Sequence, residues 1–163
     1  MDRLTFLCNQ MISWNSGDPK RIQHFLKVYS FAGLIGAGEG LSPDLLELTQ
    51  AAAIVHDIGI RPAEEKYGSS AGKLQEKEGA FPARQMALEA EFPAAEADRI
   101  SYLVGHHHTY ENIEGMDYQI LVEADFLVNL YEQDAPESEI RSAQQKIFRT
   151  GTGKQILMTM FGL

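Results

Sequence analysis

All six prolines stand where a helix would begin, end or bend, and no stretch alternates apolar with polar residues over a useful length. Proline is tolerated at the first helical turn, where its missing N–H costs nothing, whereas a half-buried strand needs a period of two. Asp18-Pro19 reads as a helix cap followed by proline at the first position. Ile22, Phe25, Leu26, Tyr29 and Gly33 then recur at steps of three and four, and the run stops among Gly36, Gly38 and Gly40. Ser42-Pro43 repeats the start signal. The segment from Asp44 to His56 is so dense in Leu, Ala, Ile and Val that it predicts a helix buried on most sides, closed by Gly59 and Pro62. A short helical turn from Arg61-Pro62 to about Gly68 and a loop over 68–73 follow.

Leu74 to Phe92 reads as helical, with Pro82 predicting a kink or two pieces. Pro93 opens a helix with Ala97, Ile100, Leu103, Val104 and His107 on one face. Asp117 is placed to cap a helix through Ile120, Leu121, Ala124, Asp125, Val128 and Tyr131. Pro136 starts another that ends near Gly151, and Lys154 to Phe161 reads as a short amphipathic tail. At 163 residues, with no repeat and no linker rich in Pro, Gly or Ser, the chain predicts one all-α domain.

Composition narrows the partners. A formal charge of −9 and a pI near 5.0 repel phosphate backbones, so broad nucleic-acid binding is not expected. A small phosphorylated substrate stays compatible, because bound metal ions supply local positive charge. Cys8 is the only cysteine, which leaves no intramolecular disulfide or thiolate metal cluster and fits a cytoplasmic setting. The start, MDRLTFLCNQMISW, makes a poor signal peptide because Asp2, Asn9 and Gln10 interrupt it. No run approaches the roughly 18 apolar residues of a membrane span.

The chemistry concentrates in the histidines and two aspartates. His56-Asp57 closes the apolar segment AAAIVHDIGI. Burying a carboxylate beside an imidazole is costly unless a partner is shared; a metal ion would serve both, and a buried His–Asp hydrogen bond at a helix end is the alternative. Asp125 falls on one face with Leu121 and Val128, so it points inward and needs either a metal or a hydrogen-bonding helix end. Glu123 falls on a different face and reads as solvated. His24 lies beside the apolar stripe of its helix; alone it would read as a core histidine. Imidazole and carboxylate suit Fe, Mn, Ni, Co and Zn, and three helices carrying His24, His56-Asp57 and Asp125 are the arrangement from which bundle metal sites are built.

This order, carried by RIQHFLKVYSFA, AAIVHDIGI and LVEADFLVN, resembles the HD superfamily over roughly residues 18–131. The resemblance implies one HD-type helical bundle over 1–163, with helices in 137–163 packing on the core. It also implies a divalent metal held by His24, His56, Asp57 and Asp125, and phosphoester hydrolysis. The chain looks especially like small stand-alone bacterial proteins described as predicted HD hydrolases. Members with two metals add histidines before the last aspartate. In GHHHTY, His106 and His107 are the candidates for a second metal or for substrate phosphate, and register leaves His108 open. The earlier added histidine is missing; Gln75, Glu76 or Glu78 stands in its place, or that corner is empty. Asp57 is the candidate for orienting the attacking water, and His106 or His107 for steadying phosphoryl oxygens or protonating the leaving group. Lys73 and Arg84 are alternative phosphate binders or solvated surface cations. Two rival readings are a di-iron oxygenase, which needs a complete second site, and a nucleotide sensor without turnover. A homo-oligomer is left open. TGTGK at 150–154 lacks the spacing and preceding strand of a phosphate loop and reads as a turn that ends a helix.

Overall fold

The computed structural model describes residues 1–163. The helices are α1 (Arg3–Trp14), α2 (Pro19–Gly38), α3 (Pro43–Val55), α4 (Ile60–Tyr67), α5 (Gly72–Glu89), α6 (Ala94–Val104), α7 (Met116–Glu132), α8 (Glu137–Lys146) and α9 (Gly151–Phe161), and there are no strands. The start signals act as expected. The Asp18 carboxylate accepts the Arg21 N–H at 3.0 Å with Pro19 at the first helical position, and Ser42 Oγ accepts the Leu45 N–H at 3.4 Å. No helix is long and apolar enough to cross a membrane.

The core sits around α3, which packs on α1, α2, α6 and α7. Ala51, Ala52 and Ala53 are fully buried, and their small side chains let the surrounding helices approach. α7 is the second central element, with every residue from Asp117 to Asp125 buried. Four features add to the sequence expectations or depart from them. The first segment is a helix: Asp2 accepts the Thr5 N–H at 2.9 Å, and Leu7 and Met11, one turn apart, are buried. α5 runs through Pro82 as one helix lying along α6. α8 ends at Lys146, and the Gly-rich 150–154 stretch begins α9 instead of ending a helix, because Thr150 Oγ1 caps it by accepting the Gly153 N–H at 2.9 Å.

The fourth is Glu123, which is buried and not solvated. Its Oε1 accepts from the Arg149 N–H at 2.6 Å, the Thr150 N–H at 2.9 Å and Gln119 Nε2 at 2.8 Å; Oε2 accepts from Thr150 Oγ1 at 2.5 Å. The carboxylate therefore docks the start of α9 on α7, where unpaired N–H groups favour a negative charge. Gly153 completes the fit, since a Cβ there would lie 2.0 Å from Glu123 Oε2.

Gly59 explains the glycine after His56-Asp57. A Cβ on it would stand 2.1 Å from the Gln75 carbonyl oxygen and 2.7 Å from the Gly79 nitrogen. The backbone of α5 thus closes directly onto the turn that carries the two candidate ligands.

Candidate metal centre

His24 projects from α2, a turn before buried Val28. His56 ends α3, Asp57 lies in the following turn, and Asp125 lies in the middle of α7; all four are buried. Helix ends orient the imidazoles. The last carbonyls of a helix lack internal partners, and His56 Nδ1 sits 2.7 Å from the Ala53 carbonyl. His107 repeats this after α6, with Nδ1 2.7 Å from the Val104 carbonyl. A carbonyl only accepts, so Nδ1 carries the proton and Nε2 presents its lone pair. On α2, His24 Nδ1 faces Glu132 Oε2 at 3.0 Å, and Lys27 donates to the other Glu132 oxygen at 3.3 Å.

Each Nε2 is consequently aimed inward. His24 Nε2 lies 3.1 Å from His56 Nε2, 3.2 Å from Asp57 Oδ2 and 3.3 Å from Asp125 Oδ1. His56 Nε2 lies 3.3 Å and 3.4 Å from the same two oxygens. Donors at about 2.1 Å from one ion are separated by about 3.4 Å in a tetrahedron and about 3.0 Å for neighbours in an octahedron. The four side chains fit a single cation by both donor chemistry and spacing. Without a positive charge, two lone pairs and two carboxylates would oppose one another. Protons fill that role in the metal-free protein: burial pushes His24 down, but hydrogen bonds to Asp125 and Asp57 overcome it and raise the imidazole to about 9. His56 is likewise raised against its burial by the Asp57 charge and by Asp125. Burial raises both carboxylates, yet the imidazoles around them hold Asp57 and Asp125 well below the usual range.

Asp57 faces two ways. Its Oδ2 belongs to the group just described; its Oδ1 is 2.9 Å from His107 Nε2 and 3.8 Å from His108 Nε2. Asp57, His107 and His108 form a second set of donors within metal-ligand spacing. The expectation for His106 is corrected. α6 ends at Val104, so the three histidines follow a turn instead of a helical face, and that register sends His106 away. Its Nδ1 faces the Tyr102 carbonyl at 2.7 Å and its ring stacks on Tyr102 with centroids 4.0 Å apart. His108 takes the inward place, with Nε2 2.9 Å from Gln75 Oε1. Of the candidates for the missing histidine, Gln75 thus reaches this corner. Buried Glu76 accepts from Thr109 Oγ1 at 3.0 and 3.1 Å, and Glu78 turns away to Tyr67 and Lys66. Lys73 donates to Thr109 Oγ1 at 2.8 Å and Arg84 pairs with Asp98 at 2.6 Å, both on the exterior.

Sequence reasoning missed four partners of the site. Glu132 holds His24, and Asn129 Nδ2 donates to Asp125 Oδ1 at 2.9 Å; both follow Asp125 at helical steps of four and seven, which was the available signal. Arg21, with Lys20, lines an opening of about 250 Å3 that reaches His24 and Asp57.

The family description "HD domain" matches residues 21–145, a span containing all the residues of both donor groups. No curated protein matches the chain. Among solved structures, a predicted HD superfamily hydrolase from an uncultured Thermotogales bacterium superposes with a TM-score of 0.72 over 99% of this chain and 86% of that one, at 21% identity. At that identity the likeness establishes the shared fold. The chain belongs to the HD domain family.

Proposed function

We propose that the protein is a metal-dependent phosphohydrolase acting on a nucleotide or another small phosphorylated metabolite. One observation carries this reading: four buried donors from α2, the end of α3 and α7 converge at the spacing of one coordination shell, beside an opening lined by Lys20 and Arg21. His24, His56, Asp57 and Asp125 would hold one divalent transition ion; Asp57, His107 and His108 offer three donors for a second. When bound, such an ion lowers the pKa of water beside it and draws charge from phosphoryl oxygens.

The remaining roles belong to side chains. Asp57, with an oxygen toward each donor group, orients the attacking water. Glu132 and the Ala53 carbonyl keep His24 and His56 in the tautomer that leaves Nε2 free. Asn129 fixes the rotamer of Asp125. Lys20 and Arg21 are the cations at an opening that Asp18, Asp57 and Glu132 also line, and they bind phosphoryl oxygens there, Arg21 exchanging its pairings with Asp18 and Glu64 for the substrate. His108, half-buried where fully buried His107 is not, protonates the leaving alcohol.

The test is a phosphoester panel run on protein purified without added metal. Hydrolysis is expected to vanish with chelator and return with a transition metal, and metal-loaded Asp57→Ala should be inactive. Chelator-resistant turnover, or full activity in Asp57→Ala, overturns the reading. Two irons per chain with oxygen-dependent turnover would replace it by oxidation.

A further inference from the structure

The outer faces of α1 and α5 leave a groove of about 1000 Å3 between them. Each helix gives its other side to the core, α1 through Leu7 and Met11 and α5 through Ala83 and Ala87. Phe6 and Trp14 line the groove from α1, and Phe81, Pro82 and Met86 line it from α5. Phe81 is 71% exposed and Phe6 37%. One apolar side chain in water is ordinary, whereas several rings converging on one groove mark a surface that another molecule covers. The groove shares no lining residue with the opening at His24 and Asp57.

Charge identifies that molecule. Lys77, Phe81, Gln85 and Glu89 line the groove at steps of four along α5, so they form one ridge. Its two ends carry charges of opposite sign, and neither has an ion-pair partner within the chain. Lys77 lies 5.8 Å from the Tyr67 ring centroid, and Glu89 accepts from the neutral Gln10 amide. Glu78, next to Lys77, is already held by Lys66 and Tyr67. Two such ridges laid antiparallel, about a two-fold axis between Phe81 and Gln85, set Lys77 of each copy against Glu89 of the other at both ends. Each Phe81 then faces Gln85 of the other copy, with the apolar walls of that groove around it. Laid parallel, the ridges would oppose lysine to lysine and glutamate to glutamate. The ridge is therefore complementary to itself in one orientation, a property that docking of a foreign apolar helix does not require.

We propose that the α1–α5 groove is the interface of a homodimer, in which the α5 ridges of two copies lie antiparallel and Phe81 of each is seated in the groove of the other. The interface uses no residue of the opening at His24 and Asp57, and it is independent of the reaction proposed above.

The experiment is sedimentation velocity on purified protein at about 1–100 µM, the weak end of specific association. Wild type is expected to sediment with the mass of a dimer. Phe81→Glu, a change at an exposed position, is expected to be monomeric throughout, with an unchanged circular dichroism spectrum. Lys77→Glu and Glu89→Lys each place like charges at both ends and should raise Kd about tenfold or more. The double variant should return to within about threefold of wild type. An equimolar mixture of the two single variants restores both pairs between unlike chains, so it should dimerise about as tightly as wild type. A monomeric wild type overturns the proposal and leaves the groove to a foreign helix. A dimer that Phe81→Glu does not weaken overturns it by placing the contact elsewhere on the surface. A mixture no tighter than the single variants alone overturns the antiparallel pairing, and with it the choice of a second copy as the occupant.

Discussion

Replacing Glu123 by methionine, which nearly preserves length and volume, isolates what a buried carboxylate contributes to this fold. The substitution removes the acceptor of four hydrogen bonds. Gln119 Nε2 keeps its bond to the Ile147 carbonyl at 2.9 Å, whereas the Thr150 hydroxyl, which goes on accepting from the Gly153 N–H, loses the acceptor of its own proton. The N–H groups of Arg149 and Thr150 are left without an acceptor, and Thr150 is 5% exposed. An unsatisfied buried donor costs about 1–3 kcal/mol. These two N–H groups and the Thr150 hydroxyl, with some relief from no longer burying a charge and from water reaching Arg149, give a loss of about 3 kcal/mol. In a chain of this size that lowers Tm by about 6–12 °C. Glu123→Gln keeps one carbonyl oxygen for the two backbone donors and should cost about 1 kcal/mol. Urea unfolding of metal-saturated protein is the assay. A Glu123→Met variant within about 0.5 kcal/mol of wild type would refute the claim that this carboxylate docks α9.

Removing the group behind a ligand should weaken the centre without unfolding it. Glu132→Leu, which deprives His24 Nδ1 of its acceptor, is expected to lower metal affinity about 10–100-fold by chelator competition. Gly59→Ala forces a Cβ against the α5 backbone, which cannot yield as a side-chain end would; a loss of about 3 kcal/mol or failure to fold is expected by thermal denaturation. Metal-free protein should show a pH-dependent Tm. The His24 imidazole is raised to about 9 in the fold, so its stabilisation is complete below the unfolded value near 6.5 and is lost as pH rises through about 9. Scans in chelator should show Tm falling between these values, and a flat or rising Tm would contradict the proton's role between the carboxylates.

Where local chemistry decided the structure, the sequence was legible. Asp18-Pro19 and Ser42-Pro43 cap helices as their side chains demand, and His24, His56, Asp57 and Asp125 were marked by polar groups on apolar faces, which must meet a partner. Decisions made by distant contacts were not legible. Glu123 has its partners 26 and 27 residues later, in a turn that no period anticipates. His106 turns out of the site and His108, which register left open, turns into it because α6 stops at Val104, and helical spacing does not govern the turn after it. Glycine commonly follows helices, which predicts an ending at 150–154, yet the Thr150 hydroxyl makes the stretch a beginning. Asn129 and Glu132 sat at helical steps from Asp125, and periodicity alone would have found them.

The anomalous scattering of a transition ion in crystals grown with the native metal or with added Mn or Fe tests the centre most directly. A peak should lie within bonding distance of the Nε2 atoms of His24 and His56 and the inward oxygens of Asp57 and Asp125. It should be absent from His24→Ala crystals grown alike. A metal-supplemented wild-type crystal with no peak among those four atoms would contradict the account.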